Sequence, residues 1–371
     1  MMHPSRIIHF HPNGKYASLF VDPLIAAERS YGYVSTLVTS VCLSNTGGRV
    51  IPYDLSLRNL PCLLIAFIKI CQFLYSQKPN VVISHNSKSS SLPLLAAWLM
   101  GVRSRIYFNH GVSFIAYRGL IRYLLMGLER ANCALATNVV TVSSDMRDIL
   151  LNLKYAEKIT IIGHGSACGL DLSIYNGPRY AESSFRKDHG ISKDDFVMVY
   201  VGRPEGRKGY DLILRLWQEY FREDEYKLVL CGSDASDALK ILSKVPRNVI
   251  CMGFVQNIPE ILSNSNSLIL PSLHDGLSYA VLEAMACGCI VLANDIDGIR
   301  NLIRSGENGY LISNNSAPGF VSVIKSLRYK TRETEAIRRN SLETAQKFSR
   351  KQFLPIYLAF IEEVSAGAKK N

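Results

Sequence analysis

Two segments of this chain carry residue types whose spacing could do chemistry. In Val201-Gly202-Arg203-Pro204-Glu205-Gly206-Arg207-Lys208-Gly209, Arg203 and Lys208 share one loop with glycines that let backbone approach a ligand. Two cations above a helix start suit a diphosphate, although a solvated basic loop has the same composition. The second segment runs from Pro271 through His274-Asp275-Gly276-Leu277-Ser278-Tyr279 to Glu283 and Gly288. Asp275 falls in a loop, and Glu283 falls inside the apolar helical pattern Tyr279–Cys287. A carboxylate in such a run is costly to bury unless it is paired or bonded to a ligand, and ribose hydroxyls would be suitable donors. The amides of Ser278 and Tyr279 at the helix start would suit a phosphate. The plainer alternative makes Asp275 a helix cap and Glu283 a solvated side chain.

The N-terminal half offers further candidates. His85-Asn86 follows the apolar run Val81–Ser84 and could contact an acceptor, and Asn109-His110-Gly111 closes the run Arg105–Asn109. Neither His85 nor His110 has neighbours at zinc-like spacing, and His274-Asp275 alone makes no metal site, so no metal ion is expected. Between Arg103 and Arg130, five arginines (Arg103, Arg105, Arg118, Arg122, Arg130) mix with Tyr107, Phe108, Phe114, Tyr117 and Tyr123. That mixture suits an anionic bilayer surface or a diphosphate-lipid head group, with a solvated helix face as the alternative. Nucleic acid would fit the same composition, but no nucleic-acid module accompanies it.

These residues must be positioned by strands that alternate with helices. Strand patterns fall at Arg6–Phe10, Tyr33–Ser40, Val81–His85, Arg105–Asn109, Val139–Val142 and Ile159–Ile162, then at Phe196–Val201, Lys227–Cys231, Val249–Met252, Ser267–Leu270, Ile290–Ala293 and Gly309–Ile312. Helical patterns intervene, among them Asp145–Leu151 behind the cap cluster Ser143-Ser144-Asp145, Tyr279–Cys287 and Ile299–Ser305. Such alternation means parallel sheets with crossover helices, and its repetition means an α/β chain of two doubly wound domains. The polar stretch Asp171–Asp195 divides them, giving domains over 1–172 and 173–351. A last helical pattern, Ala345–Val364, is expected to return over 352–371 to the first domain. Ligands of open α/β sheets sit beyond the carboxyl ends of the strands, so the domains are expected to face each other across a cleft.

Composition agrees with this size. The chain has 371 residues, of which 48% are hydrophobic and 20% charged, which excludes disorder and exceeds what one core serves. Its net charge of +11 is uneven: residues 1–180 hold 17 Lys+Arg against 8 Asp+Glu, a balance of +9. Such asymmetry points to a polyanionic partner for the first half. Nine cysteines at irregular spacings, without a Cys-x-x-Cys, read as reduced core thiols. Met1 leads through Pro4 into a strand pattern with no legible secretory leader, and the apolar stretch Leu60–Tyr75 is interrupted by Lys69 and too short to span a bilayer. A cytoplasmic protein, peripheral to a membrane at most, is expected.

Taken in order, these segments resemble the retaining glycosyltransferases of family 4. The family's acidic pair is Glu, seven residues, Glu; here Asp275, one methylene shorter, stands first and Glu283 second. The likeness continues through Asn248-Val249-Ile250-Cys251-Met252-Gly253-Phe254-Val255, Leu268-Ile269-Leu270-Pro271-Ser272 and Glu307-Asn308-Gly309-Tyr310-Leu311, covering residues 196–312 closely and the first half by pattern. The resemblance implies a GT-B fold of two Rossmann-like domains, the first binding acceptor and the second donor. It implies a metal-independent transfer without cofactor, with Arg203 and Lys208 on the donor diphosphate and Asp275 on the sugar hydroxyls. Glu283 would meet the ribose and the backbone near Val255 the base. It also gives His110 a place near the transferred sugar and puts Gly14, in Phe10-His11-Pro12-Asn13-Gly14-Lys15, where the family has a paired-glycine phosphate loop. The stretch Ile162-Gly163-His164-Gly165-Ser166-Ala167-Cys168-Gly169-Leu170-Asp171 is similar to the hinge of members that build O-antigen and capsule on lipid-diphosphate carriers.

The reading that follows is a peripheral enzyme of the inner membrane face that transfers a sugar from a nucleotide-diphosphate donor, UDP favoured, to a lipid-linked saccharide. Arg203, Lys208, Asp275 and His110 are its catalytic candidates; Val255, Ser278, Tyr279, Glu283 and Gly14 would also hold donor. His85, Asn86 and Arg118 would meet the acceptor. A nucleotide-sugar epimerase and a non-catalytic assembly scaffold are the alternatives, and nucleic acid is not expected as a partner.

Overall fold

A computed structural model describes residues 5–42, 44–53, 60–175, 180, 183–222, 225–329 and 331–367. The chain divides into two compact units, Met1–Gly169 with Arg350–Asn371, and Leu170–Ser349.

The first unit is a seven-stranded sheet in the order β3-β2-β1-β4-β5-β6-β7. Its strands are β1 Arg6–His11, β2 Val34–Thr39, β3 Arg49–Val50, β4 Val81–His85, β5 Ser104–Asn109, β6 Asn138–Thr141 and β7 Ile159–Ile161. Every pairing is parallel. Central strand β4 is buried throughout, which is why it reads as an apolar run rather than an alternation. Helices α1 Gly14–Phe20, α2 Asp22–Ser30, α3 Leu60–Gln77, α4 Ser91–Leu99, α5 Gly119–Leu135 and α6 Ser144–Asn152 make the crossovers. Ser143 caps α6, its hydroxyl accepting from the Met146 amide, so the cap cluster starts the helix at its first serine.

The second unit is a six-stranded sheet, ordered β10-β9-β8-β11-β12-β13. Its strands are β8 Phe196–Val201, β9 Tyr226–Cys231, β10 Val249–Gly253, β11 Ser267–Leu270, β12 Ile290–Asn294 and β13 Tyr310–Ile312. Helices α7 Phe185–Asp188, α8 Tyr210–Tyr220, α9 Ala235–Leu239, α10 Ile258–Ser263, α11 Tyr279–Ala286, α12 Ala317–Leu327 and α13 Arg332–Lys347 cover it. One continuous core fills this unit, with Trp217 and Tyr200 fully buried and Cys231 and Cys289 among its side chains.

Two sequence expectations are corrected. Ile299–Ser305 forms turns rather than a helix, because Asn308 takes the groups that a helix would use: its amide donates to the Leu302 carbonyl and its oxygen accepts from the Arg304 amide. The pattern Ala345–Val364 is two helices, α13 and then α14 Arg350–Gly367, parted at Phe348-Ser349. There the chain leaves the helix so that the Phe348 carbonyl accepts from the Leu170 amide at 2.8 Å and Ser349 bridges Leu170. Gly169, at φ +70°, runs so close to α14 that a Cβ on it would lie 2.6 Å from Arg350 Cα. Helix α14 belongs to the first unit, where Ser104 Oγ donates to the Val364 carbonyl at 2.8 Å. Among the described residues no helix is long and apolar enough to cross a membrane.

Candidate active site

In the second unit, the loop after β8 and the loop after β11 are tied together. Gly209 opens α8 at φ +74°, and a Cβ there would stand 2.2 Å from the Pro271 carbonyl oxygen, so only glycine lets the two loops meet. The Leu273 amide donates to the Arg207 carbonyl at 2.9 Å. Beside this contact Lys208 Nζ lies 2.9 and 3.0 Å from the two carboxylate oxygens of Asp275, both side chains being largely enclosed. Arg203 is more open and pairs with Glu205 at 2.8 Å; Arg207 reaches the same carboxylate at 2.6 Å. Sequence reading treated Arg203 and Lys208 as a matched pair of cations. The structure separates them: Lys208 is fixed by Asp275, while Arg203 sits on the exposed side of an arginine–glutamate cluster.

Glu283 lies on α11 and accepts from the Tyr175 hydroxyl at 2.8 Å. Enclosure of its carboxyl by apolar neighbours pushes its pKa up to about 7, against the smaller lowering effect of that hydrogen bond. Ser278, itself buried, stands at the N-cap of α11 without a side-chain bond to the first turn, and Tyr279 begins the helix. Val255 is half-buried after β10 and packs on the core, next to Phe254, which is 87% exposed. Tyr175 escaped sequence reading because a lone aromatic in a loop carries no spacing signal.

In the first unit, three adjacent strands β1, β4 and β5 deliver His11, His85-Asn86 and Asn109-His110 at their carboxyl ends. His110 lies partly open to solvent at the loop start, its Nε2 2.9 Å from His85 Nδ1. The loop is held from behind by a buried carboxylate: Glu129 accepts from the Tyr107 hydroxyl and Asn109 amide, each at 2.6 Å, and from Ser87 Oγ, while Asn109 Oδ1 accepts from the Gly111 amide. Burial raises the Glu129 pKa and lowers that of His110 to about 3. Asn86, at φ 72°, donates to His11 Nε2 at 3.0 Å.

Two first-unit candidates, His85 and Gly14, change character. His85, read above as an acceptor contact, is fully buried between His9 and His110, which leaves it no surface for a ligand to meet. Gly14 is the buried first residue of α1, and the Asn13 side chain already accepts from the Lys15 and Tyr16 amides, occupying the place a phosphate would take. Arg118 is exposed at the N-cap of α5, beside the exposed Leu120, Ile121, Tyr123 and Leu124. In the hinge segment Ser166 is buried and accepts from the Gly169 amide, as a tight turn requires.

Two parallel-sheet Rossmann-like units, each with its polar side chains on loops after strands, define a GT-B glycosyltransferase fold. The chain belongs to glycosyltransferase family 4: residues 29–166 match the Glycosyltransferase Family 4 domain and residues 182–344 match the Glycosyl transferases group 1 domain. Among its relatives is the capsular polysaccharide biosynthesis glycosyltransferase CapM of Staphylococcus aureus, 24% identical over 77% of each chain. The UDP-Gal:alpha-D-GlcNAc-diphosphoundecaprenol alpha-1,3-galactosyltransferase of Escherichia coli is 25% identical over 70% of this chain and 69% of its own. The N,N'-diacetylbacillosaminyl-diphospho-undecaprenol alpha-1,3-N-acetylgalactosaminyltransferase of Campylobacter jejuni is 24% identical over 87% of this chain and 88% of its own. Anabaena HepE, solved with UDP and glucose, shares the fold at a TM-score of 0.81 and 17% identity over 97% of this chain and 100% of its own.

Proposed function

We propose that this glycosyltransferase moves a sugar, with retention at the anomeric carbon, from a nucleotide-diphosphate sugar to a lipid-diphosphate-linked saccharide in the assembly of a bacterial surface polysaccharide. A UDP-sugar is the favoured donor. The observation that carries this reading is the pairing of Lys208 with Asp275 at the junction of two post-strand loops, the first of which also carries Arg203. In this reading the second unit holds the donor. Lys208 and Arg203 draw the charge that develops on the leaving diphosphate, and the first-turn amides at Ser278 and Tyr279 add to them. Asp275 orients Lys208 and reaches the sugar hydroxyls, Glu283 takes the ribose, and the backbone near Val255 meets the base. The acceptor hydroxyl attacks on the face the diphosphate leaves, and the leaving phosphate takes its proton. No metal ion and no protein nucleophile takes part; the protein contributes electrostatic stabilisation and positioning.

The first unit receives the acceptor through His110, Asn86 and Arg118. Its surface at α5, with Leu120 74% and Tyr123 70% exposed next to Arg118 and Arg122, and the balance of +9 over residues 1–180 fit the anionic inner face of a membrane. Relatives named for diphosphoundecaprenol-linked acceptors and a fold neighbour solved with UDP support the choice of substrates. The test is a thermal-shift screen with UDP-, GDP- and dTDP-sugars, followed by NMR of products made with a polyprenyl-diphosphate saccharide. Stabilisation by UDP-sugars and an extended acceptor with the donor's anomeric configuration is the expected outcome. An isomerised free donor without an extended acceptor would replace the transferase by an epimerase.

A further inference from the structure

Behind His110, four side chains of the first unit form one hydrogen-bonded line that ends on it. The Tyr357 hydroxyl on α14 lies 2.5 Å from Glu28 Oε1 on α2. His9 Nε2, on β1, is 3.0 Å from both Glu28 oxygens, and His9 Nδ1 is 3.0 Å from His85 Nε2 on β4. His85 Nδ1 then reaches His110 Nε2 at 2.9 Å. Glu28, His9 and His85 are wholly buried and Tyr357 is 1% exposed. Polar groups so deep in a parallel-sheet core are retained at a cost unless each partner is satisfied, and here each one is.

With a neutral imidazole at His9 and a carboxylate at Glu28, the line has one direction open to it. A neutral imidazole has one donor and one acceptor nitrogen, and a carboxylate only accepts. The Tyr357 proton stays on its oxygen, burial and Glu28 holding that phenol well above its ordinary range, so the hydroxyl also donates to Glu28. His9 must then carry its hydrogen on Nε2, which makes its Nδ1 an acceptor. His85 donates to it through Nε2 and accepts at Nδ1, and His110 donates to that atom through Nε2. Burial keeps His85 and His110 neutral, as it does the neighbouring His11, whose pKa falls to about 4. Phe108 and Phe20 pack against the His110 ring, and His110 Nδ1 bonds to none of the described residues.

We propose that Glu28 is a positioning residue that, through His9 and His85, sets His110 as the Nε2–H tautomer, so that its Nδ1 accepts a hydrogen bond from a hydroxyl of the substrates. The proposal rests on the transferase reading for the identity of that hydroxyl, but the tautomer itself does not.

The test is long-range ¹H–¹⁵N NMR of the full chain labelled at histidine, with transfer kinetics alongside. Wild type is expected to show His110 protonated at Nε2. In Glu28→Gln the Tyr357 hydroxyl claims the amide oxygen, the amide NH₂ faces His9, and the whole line reverses. His110 then becomes protonated at Nδ1, and kcat falls about tenfold, the worth of one hydrogen bond, with donor KM little changed. Adding Tyr357→Phe frees the amide oxygen to turn toward His9, restoring the Nε2–H form and the rate. Should Glu28→Gln fail to fold, His85→Phe cuts the line while leaving Glu28 paired, and a mixture of His110 tautomers is expected. Protonation of wild-type His110 at Nδ1, or a pure Nε2–H form in Glu28→Gln or in His85→Phe, overturns the proposal. A tautomer that reverses as described in a protein that transfers no sugar would leave the relay standing and remove the transferase reading.

Discussion

Lys208 and Asp275, 67 positions apart, meet as an ion pair with Nζ equidistant, within 0.1 Å, from both carboxylate oxygens. The shorter acidic side chain is thus anchored on the cation that the proposed mechanism needs. Lys208→Ala is expected to lower kcat by about 10²–10³, as loss of a charge-stabilising donor does, with the melting temperature little changed. Steady-state kinetics with a UDP-sugar checks this, and unchanged turnover would remove Lys208 from the diphosphate.

Glu283 gives a pH signature. Its carboxyl is raised from an ordinary 4.5 to about 7, so the folded state holds a proton that the unfolded state releases. Its contribution to stability is complete below about 4.5 and is lost as pH rises through about 7. Thermal melts of the free protein should therefore fall with pH across that window more steeply in wild type than in Glu283→Gln. Nucleotide binding, which needs the carboxylate as acceptor for ribose, should strengthen over the same window in wild type alone, as calorimetry would show.

The exposed face of α5 makes a separate prediction. Replacing Arg118 and Arg122 by alanine should weaken binding to vesicles rich in anionic lipid by about 2 kcal/mol, roughly thirtyfold, at about 1 kcal/mol per arginine. Leu120→Glu with Leu124→Glu should abolish it by adding charge to the apolar part of the face. Co-sedimentation that is equal for the variants and wild type would take the membrane away from this helix.

Gly209 carries a stability prediction. Alanine there would adopt a left-handed backbone and press its Cβ to 2.2 Å from the Pro271 oxygen. Gly209→Ala is expected to destabilise the protein by more than about 1 kcal/mol and to reduce donor binding, because it separates the loops that join Lys208 to Asp275. Chemical denaturation with and without UDP measures both.

How far the sequence could be read depends on the residue. Val81–His85, Phe196–Val201 and Ser267–Leu270 have the same bounds in sequence pattern and in structure, because a parallel strand buried on both faces reads as an unbroken apolar run. Ile299–Ser305 has helical spacing, yet a single side chain, Asn308, diverts its backbone bonds into turns. The acidic residues of the second unit stood out because Glu283 interrupts an apolar helix. Glu28 did not, since a glutamate on a short charged helix looks like a solvated one.

By itself the sequence determined the α/β alternation, the division into two units, the uneven charge and the family, since all of these rest on local periodicity, composition and ordered motifs. Tertiary structure alone decided the partners: Asp275 for Lys208, Tyr175 for Glu283, and the line from Tyr357 through Glu28, His9 and His85 to His110. Glu28 and Tyr357 stand 329 positions apart, and no pattern along the chain reports which side chains the sheet order brings within hydrogen-bonding distance. Periodicity records whether a side chain is buried; only strand order and helix packing determine what it is buried against.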